Sequence, residues 1–343
     1  MALGSELDAH VRRIITIHFD PRTGAPYWLE RQQTLGIDAL ARIHTFADLE
    51  RLGPMEEVAL ARRQLFDFVP LSRRQHLQGA IVTDTGGTTG SPKRTVFSRD
   101  EFHAGFVEPF VRMAQRVGFP RGGAWLFVGP GGPHIIGQAA AACAVEMGGH
   151  QPFTVDFDPR WFRKLPAGSM GRDRYVRHLL DQAADVLNSE PIDVLFTTPP
   201  MVQGLAEIMA DSQRERIRGV HYGGMRVESA LLLAAQTEWF PRAVHLAGYG
   251  NSLFGVCMER GGDPSRSLHY FPHGLRHQVR VARDGRVWMH RLDPSVLIAN
   301  LAERDAGRPT SPEPELGRLG FGLGVEDPSP IHEAKSTTSG GIY

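Results

Sequence analysis

Between Trp125 and Leu246 the chain alternates short apolar runs with stretches of helical period, and no other feature limits its possible folds as strongly. Trp125-Leu126-Phe127-Val128 reads as a buried strand, and His134 to Glu146 as a helix ended by Gly148-Gly149. Phe153-Thr154-Val155 precedes a helix over 175–187, and Val194-Leu195-Phe196 precedes one over 201–209. Val220-His221-Tyr222 precedes a helix over 229–239, and Val244-His245-Leu246 closes the series. Such alternation builds a parallel sheet flanked by helices. Ligands in these sheets bind beyond the carboxyl ends of the strands. Thr197-Thr198-Pro199-Pro200, Gly223-Gly224 and Gly248-Tyr249-Gly250 all fall at such ends, so several loops are expected to share one crevice.

The flanks read differently. The first eighty residues look mainly helical, with a turn-rich loop at His18 to Trp28 and a short helix starting at Thr45-Phe46-Ala47-Asp48-Leu49. Ser98 and Glu101 make a capping box, after which Phe102, Phe106, Phe110, Met113 and Val117 mark one helical face. From Gly255 onward the pattern turns to β, and Asp284-Gly285 between Val279-Arg280-Val281 and Val287-Trp288-Met289 signals a hairpin. After Arg308 the chain is rich in Pro, Gly and Ser and is expected to pack poorly. The fold class is therefore α/β, with parallel sheets flanked by helices and a smaller β-rich C-terminal portion. The expected divisions are a leading helical segment (1–80), an α/β core (81–254), a β-rich part (255–320) and a tail (321–343).

The stretch Thr83-Asp84-Thr85-Gly86-Gly87-Thr88-Thr89-Gly90-Ser91-Pro92-Lys93 carries the chemistry. Gly86, Gly87 and Gly90 let backbone amides turn toward an anion. Thr85, Thr88, Thr89 and Ser91 add hydroxyls, and Lys93 adds a point charge suited to phosphate. A nucleotide P-loop would need Gly-Lys-Ser/Thr opening a helix. Here Pro92 precedes Lys93 and the strand-like Arg94-Thr95-Val96-Phe97 follows, so a glycine-rich hairpin between two strands fits better. The spelling argues equally against a P-loop kinase.

This wording closely resembles the phosphate loop of adenylate-forming enzymes, the acyl- and aryl-CoA ligases, adenylation domains and luciferases. Thr88-Thr89-Gly90-Ser91-Pro92-Lys93 follows the family pattern letter for letter, Thr85-Gly86 opens it, and Gly87 is the one departure. The resemblance implies the N-terminal domain of such an enzyme, over residues 10 to 320 or so. It implies ATP and Mg2+ as cofactors, with Thr85, Gly86, Gly87, Thr89, Gly90 and Ser91 around the phosphates and Lys93, Thr88 and Ser252 acting on them. His134 and Gly137 match a His-x-x-Gly that shapes the acyl pocket, expected to lie near Thr198, His221 and Tyr222. Gly223-Gly224 matches a Gly-Gly segment that packs on adenine. Tyr249-Gly250-Asn251-Ser252 matches Tyr-Gly-x-Thr/Ser, whose ring stacks on adenine. Asp305 falls where an aspartate holds the ribose hydroxyls. The family's metal-binding glutamate is replaced by Leu253. Three readings stay open there: phosphates and water hold the metal, Glu259 substitutes, or adenylation is impaired. If the site is otherwise intact, restoring an acid at position 253 should help. The resemblance implies a mobile C-terminal domain as well, which is expected to be absent here, with Lys335 a poor candidate for its lysine. The leading segment and the Tyr-Gly-Asn-Ser wording most resemble phenylacetate-type ligases and the proteins that tailor phenazine antibiotics.

Composition limits the partners. The 343 residues hold 38 Lys plus Arg and 38 Asp plus Glu, so no net field draws nucleic acid or an anionic membrane. Cys143 and Cys257 sit in apolar surroundings and read as free thiols in a reducing compartment. No signal peptide or bilayer-spanning run occurs, so a soluble cytoplasmic protein is expected. The expected activity is ATP-dependent activation of an aromatic carboxylate as its acyl-adenylate, with homodimerisation left open. The alternative is a catalytically impaired protein that binds nucleotide or aromatic acid.

Overall fold

A computed structural model describes residues 2–85, 92–261 and 267–331. The fold is mixed α/β. Its strands are β1 (Ile81–Asp84), β2 (Arg94–Phe97), β3 (Ala124–Gly129), β4 (Phe153–Asp156), β5 (Ile192–Thr197), β6 (Gly219–Tyr222) and β7 (Val244–Asn251), followed by β8 (Gly255–Glu259), β9 (His269–Phe271), β10 (His277–Val281), β11 (Arg286–Leu292), β12 (Leu297–Thr310) and β13 (Gly324–Pro330). The chain divides into two compact units. In described residues, the first comprises 2–85, 92–106, 251–255 and 271–331, and the second 107–250, 256–261 and 267–270.

The second unit contains the alternating segment. β3 pairs in parallel with β4 and β5, β5 with β6, and β6 with β7. The strands are continuous apolar runs because both faces are covered, as parallel sheets require. Trp125, Leu126, Val128, Val194, Leu195, Val220 and Leu246 have no exposed surface. The helices Ile135–Glu146, Met170–Ser189 and Pro199–Ile208 fall where the periodicity places them, although Met170–Ser189 starts five residues early, behind a Ser169 cap.

In the first unit β10, β11, β12 and β13 form an antiparallel ladder, and β1 and β2 form a separate antiparallel pair. The Asp284-Gly285 hairpin forms as expected, with Gly285 at φ 85°. The capping box at Ser98 and Glu101 is also present. The helix it opens is broken, however: Arg99–Phe102 passes into a π-helical turn at His103–Val107 before Glu108–Val117 resumes. Pro109, at the start of that last piece, has no N–H to donate to the preceding turn, and its ring crowds the carbonyl four residues back.

Three expectations fail. His18 and Phe19 belong to the helix Ala2–Phe19, so the loop begins only at Asp20, whose carboxylate accepts from the amides of Arg22 and Thr23. The leading helices do not stand apart. Trp28 Nε1 donates to the Leu297 carbonyl, and the Asn300 amide donates to the carbonyls of Leu49 and Gly53. The segment after Arg308 is packed up to residue 331: Leu316, Phe321 and Val325 have no exposed surface, and β13 extends the ladder beside β12. Leu316, Phe321 and Val325 are spaced so that all three reach the core while Leu323 stays exposed, which composition alone does not reveal. Cys143 and Cys257 are free and buried, and burial pushes both thiols up. No helix of the described residues is long and apolar enough to cross a membrane.

Candidate functional site

In the first unit, β1 and β2 run in register from Ile81↔Phe97 to Asp84↔Arg94. Beyond them Thr85 N–H donates to the Lys93 carbonyl at 2.9 Å, and Lys93 N–H donates to Thr85 Oγ1 at 3.0 Å. Thr85 and Lys93 thus close the neck of a strand–loop–strand hairpin, the form expected from Pro92 and the strand-like residues after Lys93. Gly86, Gly87, Thr88, Thr89, Gly90 and Ser91 lie outside the described residues. Pro92 and Lys93 are half-buried, and the Lys93 ammonium is paired with the Glu57 carboxylate.

An isolated two-stranded hairpin is marginal in water. This one is anchored by Arg291, which is wholly buried. Its guanidinium donates to Thr95 Oγ1 at 3.0 Å and to the Val96 carbonyl at 2.7 Å, both on β2. It also bonds Asp293 at 2.5 Å and lies 3.5 Å over the Phe97 ring. Glu101 accepts from Ser295 N–H and Oγ–H and from Ser98 N–H, which fixes the helix that follows β2.

The turn after β7 also belongs to this unit. Asn251 Oδ1 accepts from the amides of Leu253 and Phe254 at 2.8 and 2.9 Å, an Asx-type turn that shapes the segment. Asn251 Nδ2 donates to the Glu303 carboxylate. Ser252 is half-buried. Leu253 points inward: it is 2% exposed, in the apolar cluster of Val11, Ile14, Trp28, Leu292 and Leu297. A glutamate there would be buried among hydrocarbon, which overturns the expectation that restoring an acid at 253 helps. Burial pushes the Glu303 carboxyl up to about 7, and the neighbouring charge of Asp305 adds to the rise. Asp305 itself is half-buried on β12.

Mg2+ takes hard oxygen donors. Glu303 and Asp305 are such donors and fit it, whereas Leu253 does not. Among the described residues, no group of three or more His, Cys, Asp or Glu is placed to hold a metal ion. Glu259 lies in the second unit on β8, where it accepts from the Gly261 amide at 2.7 Å and burial pushes it up to about 7.

The second unit brings its expected residues to one sheet edge. Val128 pairs with Thr197, Thr197 with Tyr222 and Tyr222 with Ala247. The next residues, Gly129, Thr198, Gly223 and Gly248, therefore follow side by side at the carboxyl ends. Thr197 Oγ1 donates to the Val128 carbonyl at 2.6 Å, and Gly223 N–H to the Thr197 carbonyl at 3.0 Å. A Cβ on Gly223 would lie 2.8 Å from the Phe196 ring, so only glycine lets the backbone pack there. Gly224 has φ 78°, in the left-handed region. Gly250 is exposed, and Tyr249 is buried with its ring 5.6 Å from that of Tyr270.

Thr198 is 1% exposed, and its hydroxyl has no hydrogen-bond partner among the described residues. It occupies the cap position of Pro199–Ile208, but the two prolines that follow have no N–H to offer, and Met201 N–H bonds the Thr198 carbonyl instead. His134 is buried at the cap of Ile135–Glu146. Gly137 lets that helix approach the loop before it, since a Cβ would meet Gly131 Cα at 3.0 Å.

His221 and Tyr222 have packing partners. The His221 ring meets Phe110 and Phe196 edge-on, its Nδ1–H donates to the Leu246 carbonyl at 2.8 Å, and burial pushes it down to about 4. The Tyr222 hydroxyl donates to His245 Nδ1 at 2.7 Å, and His245 Nε2–H to the Phe240 carbonyl at 3.1 Å. Sequence reading did not single out Glu57, Asn251, Glu303 or Arg291. Glu303 stands two residues before Asp305, so the family pattern passes next to it, but only the fold brings it to Asn251.

No protein-family model matches the sequence, and no curated protein matches it. Solved structures do. An open conformation of 2-hydroxyisobutyryl-CoA ligase, in complex with 2-HIB-AMP and CoA, superposes with a TM-score of 0.65 at 14% identity, covering 94% of this chain and 73% of the ligase. The same ligase in its thioesterification state gives 0.61 at 16% identity, covering 94% and 66%. At such identities the likeness establishes a shared fold, the α/β architecture of an acyl-CoA ligase, and nothing finer.

Proposed function

We propose that the protein activates a carboxylic acid with ATP. One oxygen of the substrate carboxylate attacks the α-phosphorus, the bond from that phosphorus to the bridging oxygen breaks, and acyl-adenylate and pyrophosphate result. The observation that carries this reading is the hairpin neck, which holds the Lys93 backbone by two hydrogen bonds to Thr85 and pairs its ammonium with the Glu57 carboxylate. A fixed cation of this kind offsets charge on transferring phosphates. The reading assigns Thr85 to Lys93 and Ser252 to the phosphates, Tyr249 and Gly223-Gly224 to adenine, and Asp305 to the ribose. The buried hydroxyl of Thr198, with no partner among the described residues, is a hydrogen-bond donor suited to an acyl substrate, and the sequence resemblance adds His134 and Gly137 to the acyl pocket. Mg2+, when bound, adds positive charge at the phosphates. An aromatic acid and a role in tailoring phenazine-type metabolites complete the reading. Both come from the sequence resemblance.

Lys93→Ala removes a charged donor and is expected to weaken ATP binding by about 1.5–3 kcal/mol. Titration calorimetry with Mg2+ checks this, and absence of ATP binding by the unmutated protein rejects the reading. ATP binding without pyrophosphate release over a panel of aryl carboxylates would favour the binding-protein alternative.

A further inference from the structure

We propose that Glu303, oriented by Asn251, is the protein's oxygen ligand for the divalent cation that accompanies the nucleotide phosphates. The inference rests on the nucleotide reading and supplies the ligand that Leu253 cannot provide.

The Asn251–Phe254 turn shows how the substitution works. Its third residue, Leu253, is committed to the apolar core, packed with Val11, Ile14 and Leu297. Its first residue, Asn251, is the polar one, and both ends of its amide are used. Oδ1 holds the turn, and Nδ2 reaches across to the Glu303 carboxylate. A carboxylate offers two oxygens and about four lone-pair positions, so one bond from Asn251 orients Glu303 and leaves it capacity for a cation. The acid has thus moved off the turn and onto β12, with the turn still gripping it.

The strand is irregular at that point. β11 and β12 pair at Trp288↔Ala302 and again at Arg286↔Ala306. Four steps along β12 therefore span two along β11, and the surplus falls on Glu303, Arg304 and Asp305. Irregularities of this type re-aim side chains that a regular ladder would direct elsewhere. Lys93, Glu57 and Asp305 all lie close enough for their charges to act on Glu303. Lys93, at the neck of the loop assigned to phosphate, and its partner Glu57 are thus within electrostatic range of Glu303. Mg2+ keeps several waters and is held by one or two carboxylates together with substrate phosphates, so one well-placed glutamate suffices for a cation that arrives on the nucleotide.

The test is ATP binding by titration calorimetry, with Mg2+ and with EDTA, on the unmutated protein and on Glu303→Gln and Glu303→Asp. The unmutated protein is expected to bind ATP more tightly with Mg2+. In Glu303→Gln that gain shrinks by on the order of tenfold or more. Its ATP binding in EDTA strengthens instead, because a negative charge next to the phosphates has gone. Glu303→Asp keeps an oxygen donor and retains part of the gain. Opposite shifts in the two conditions are what a merely structural residue would not give. An undiminished Mg2+ gain in Glu303→Gln overturns the proposal, as does weakened binding in both conditions with a lowered melting temperature. ATP binding that ignores Mg2+ in the unmutated protein overturns the metal ligand and leaves the nucleotide reading standing. No ATP binding at all removes both.

Discussion

In the unit built on β5, β6 and β7, the buried rings on β6 and β7 are neutral and make a single bond or two: His221 to the Leu246 carbonyl, Tyr222 to His245 and His245 to the Phe240 carbonyl. In the unit that carries the loop hairpin, the interior is ionic. Arg291 and Asp293 have no exposed surface, Glu101 is close behind, and His10 and His18 donate to the carbonyls of Leu292 and Asp293. The contrast follows from what each unit must hold still. A parallel sheet covered on both faces is rigid through packing alone. The two-stranded hairpin is covered along β2 but open along β1, where Val82 is exposed, so its orientation also draws on directional bonds, and Arg291 makes them to Thr95 and Val96.

The sharpest way to break this comparison is Arg291→Met. It keeps much of the volume but leaves Glu101 as a buried acid without its cation and Asp293 with only Arg276, 3.7 Å away. Removing one partner of a buried ion pair costs about 3–5 kcal/mol. Urea unfolding should show a loss of that size, larger than a polar truncation in the other unit produces. A loss below about 1 kcal/mol would mean that the hairpin is held by its apolar contacts with Phe97 and its neighbours and that the ionic anchor is incidental.

Acid should distinguish the units as well. Burial lowers His10, and pushes His18 down to about 4 and His277 and His290 down to about 3, all in the hairpin unit. In the other unit it pushes His221 and His245 down to about 4. A base whose folded pKa is depressed contributes stability that is present above its unfolded value, 6.5, and is lost as pH falls toward the folded value. Glu303 and Glu259, one in each unit, have the opposite sign: each is raised to about 7, and its contribution is lost as pH rises from 4.5 through 7. Four histidines oppose one carboxyl in the hairpin unit, and two oppose one in the other. Both units should weaken between pH 6.5 and 4, the hairpin unit more. Amide hydrogen exchange at pH 7 and pH 5, corrected for intrinsic rates, reads this directly. Equal loss of protection in β5 and β11 would count against it.

The same contrast explains what was legible in the sequence. Continuous apolar strands and periodic helices announce themselves within a dozen residues, so β3 to β7 and their helices are readable. So are the Asp284-Gly285 turn and the Ser98–Glu101 cap, where the chemistry is local. Arg291 meeting β2, Asn251 meeting Glu303 and Asn300 meeting the leading helices are contacts between residues about 50 to 250 positions apart, and no local pattern encodes them. Leu253 is the instructive case. Its identity is visible as a departure from a family pattern, but its inward direction is not, and the direction decides what replacing it would do. The loop spelling pointed to Lys93, while Glu57 and Glu303, which share its surroundings, belong to segments whose own spelling marks no site.

Tyr222→Phe is the mildest expected change and sharpens the comparison from the other side. The sequence resemblance places Tyr222 beside the acyl substrate, yet its ring has no exposed surface and its hydroxyl is committed to His245 Nδ1. Phenylalanine keeps the ring and removes only that donor. His245 Nδ1 is left without its proton donor, while Nε2–H still holds the Phe240 carbonyl. A neutral hydrogen bond of this kind is worth about 0.5–1.5 kcal/mol. The melting temperature should therefore fall by a few degrees, on the scale that about 1 kcal/mol produces in a domain of this size. Substrate dependence should not move, because the hydroxyl's partner, His245, lies within β7 and not in the carboxyl-end loops. If pyrophosphate release shows a raised KM for the carboxylic acid at unchanged melting temperature, the hydroxyl turns toward substrate during the reaction, and the second unit's polar side chains are not confined to packing.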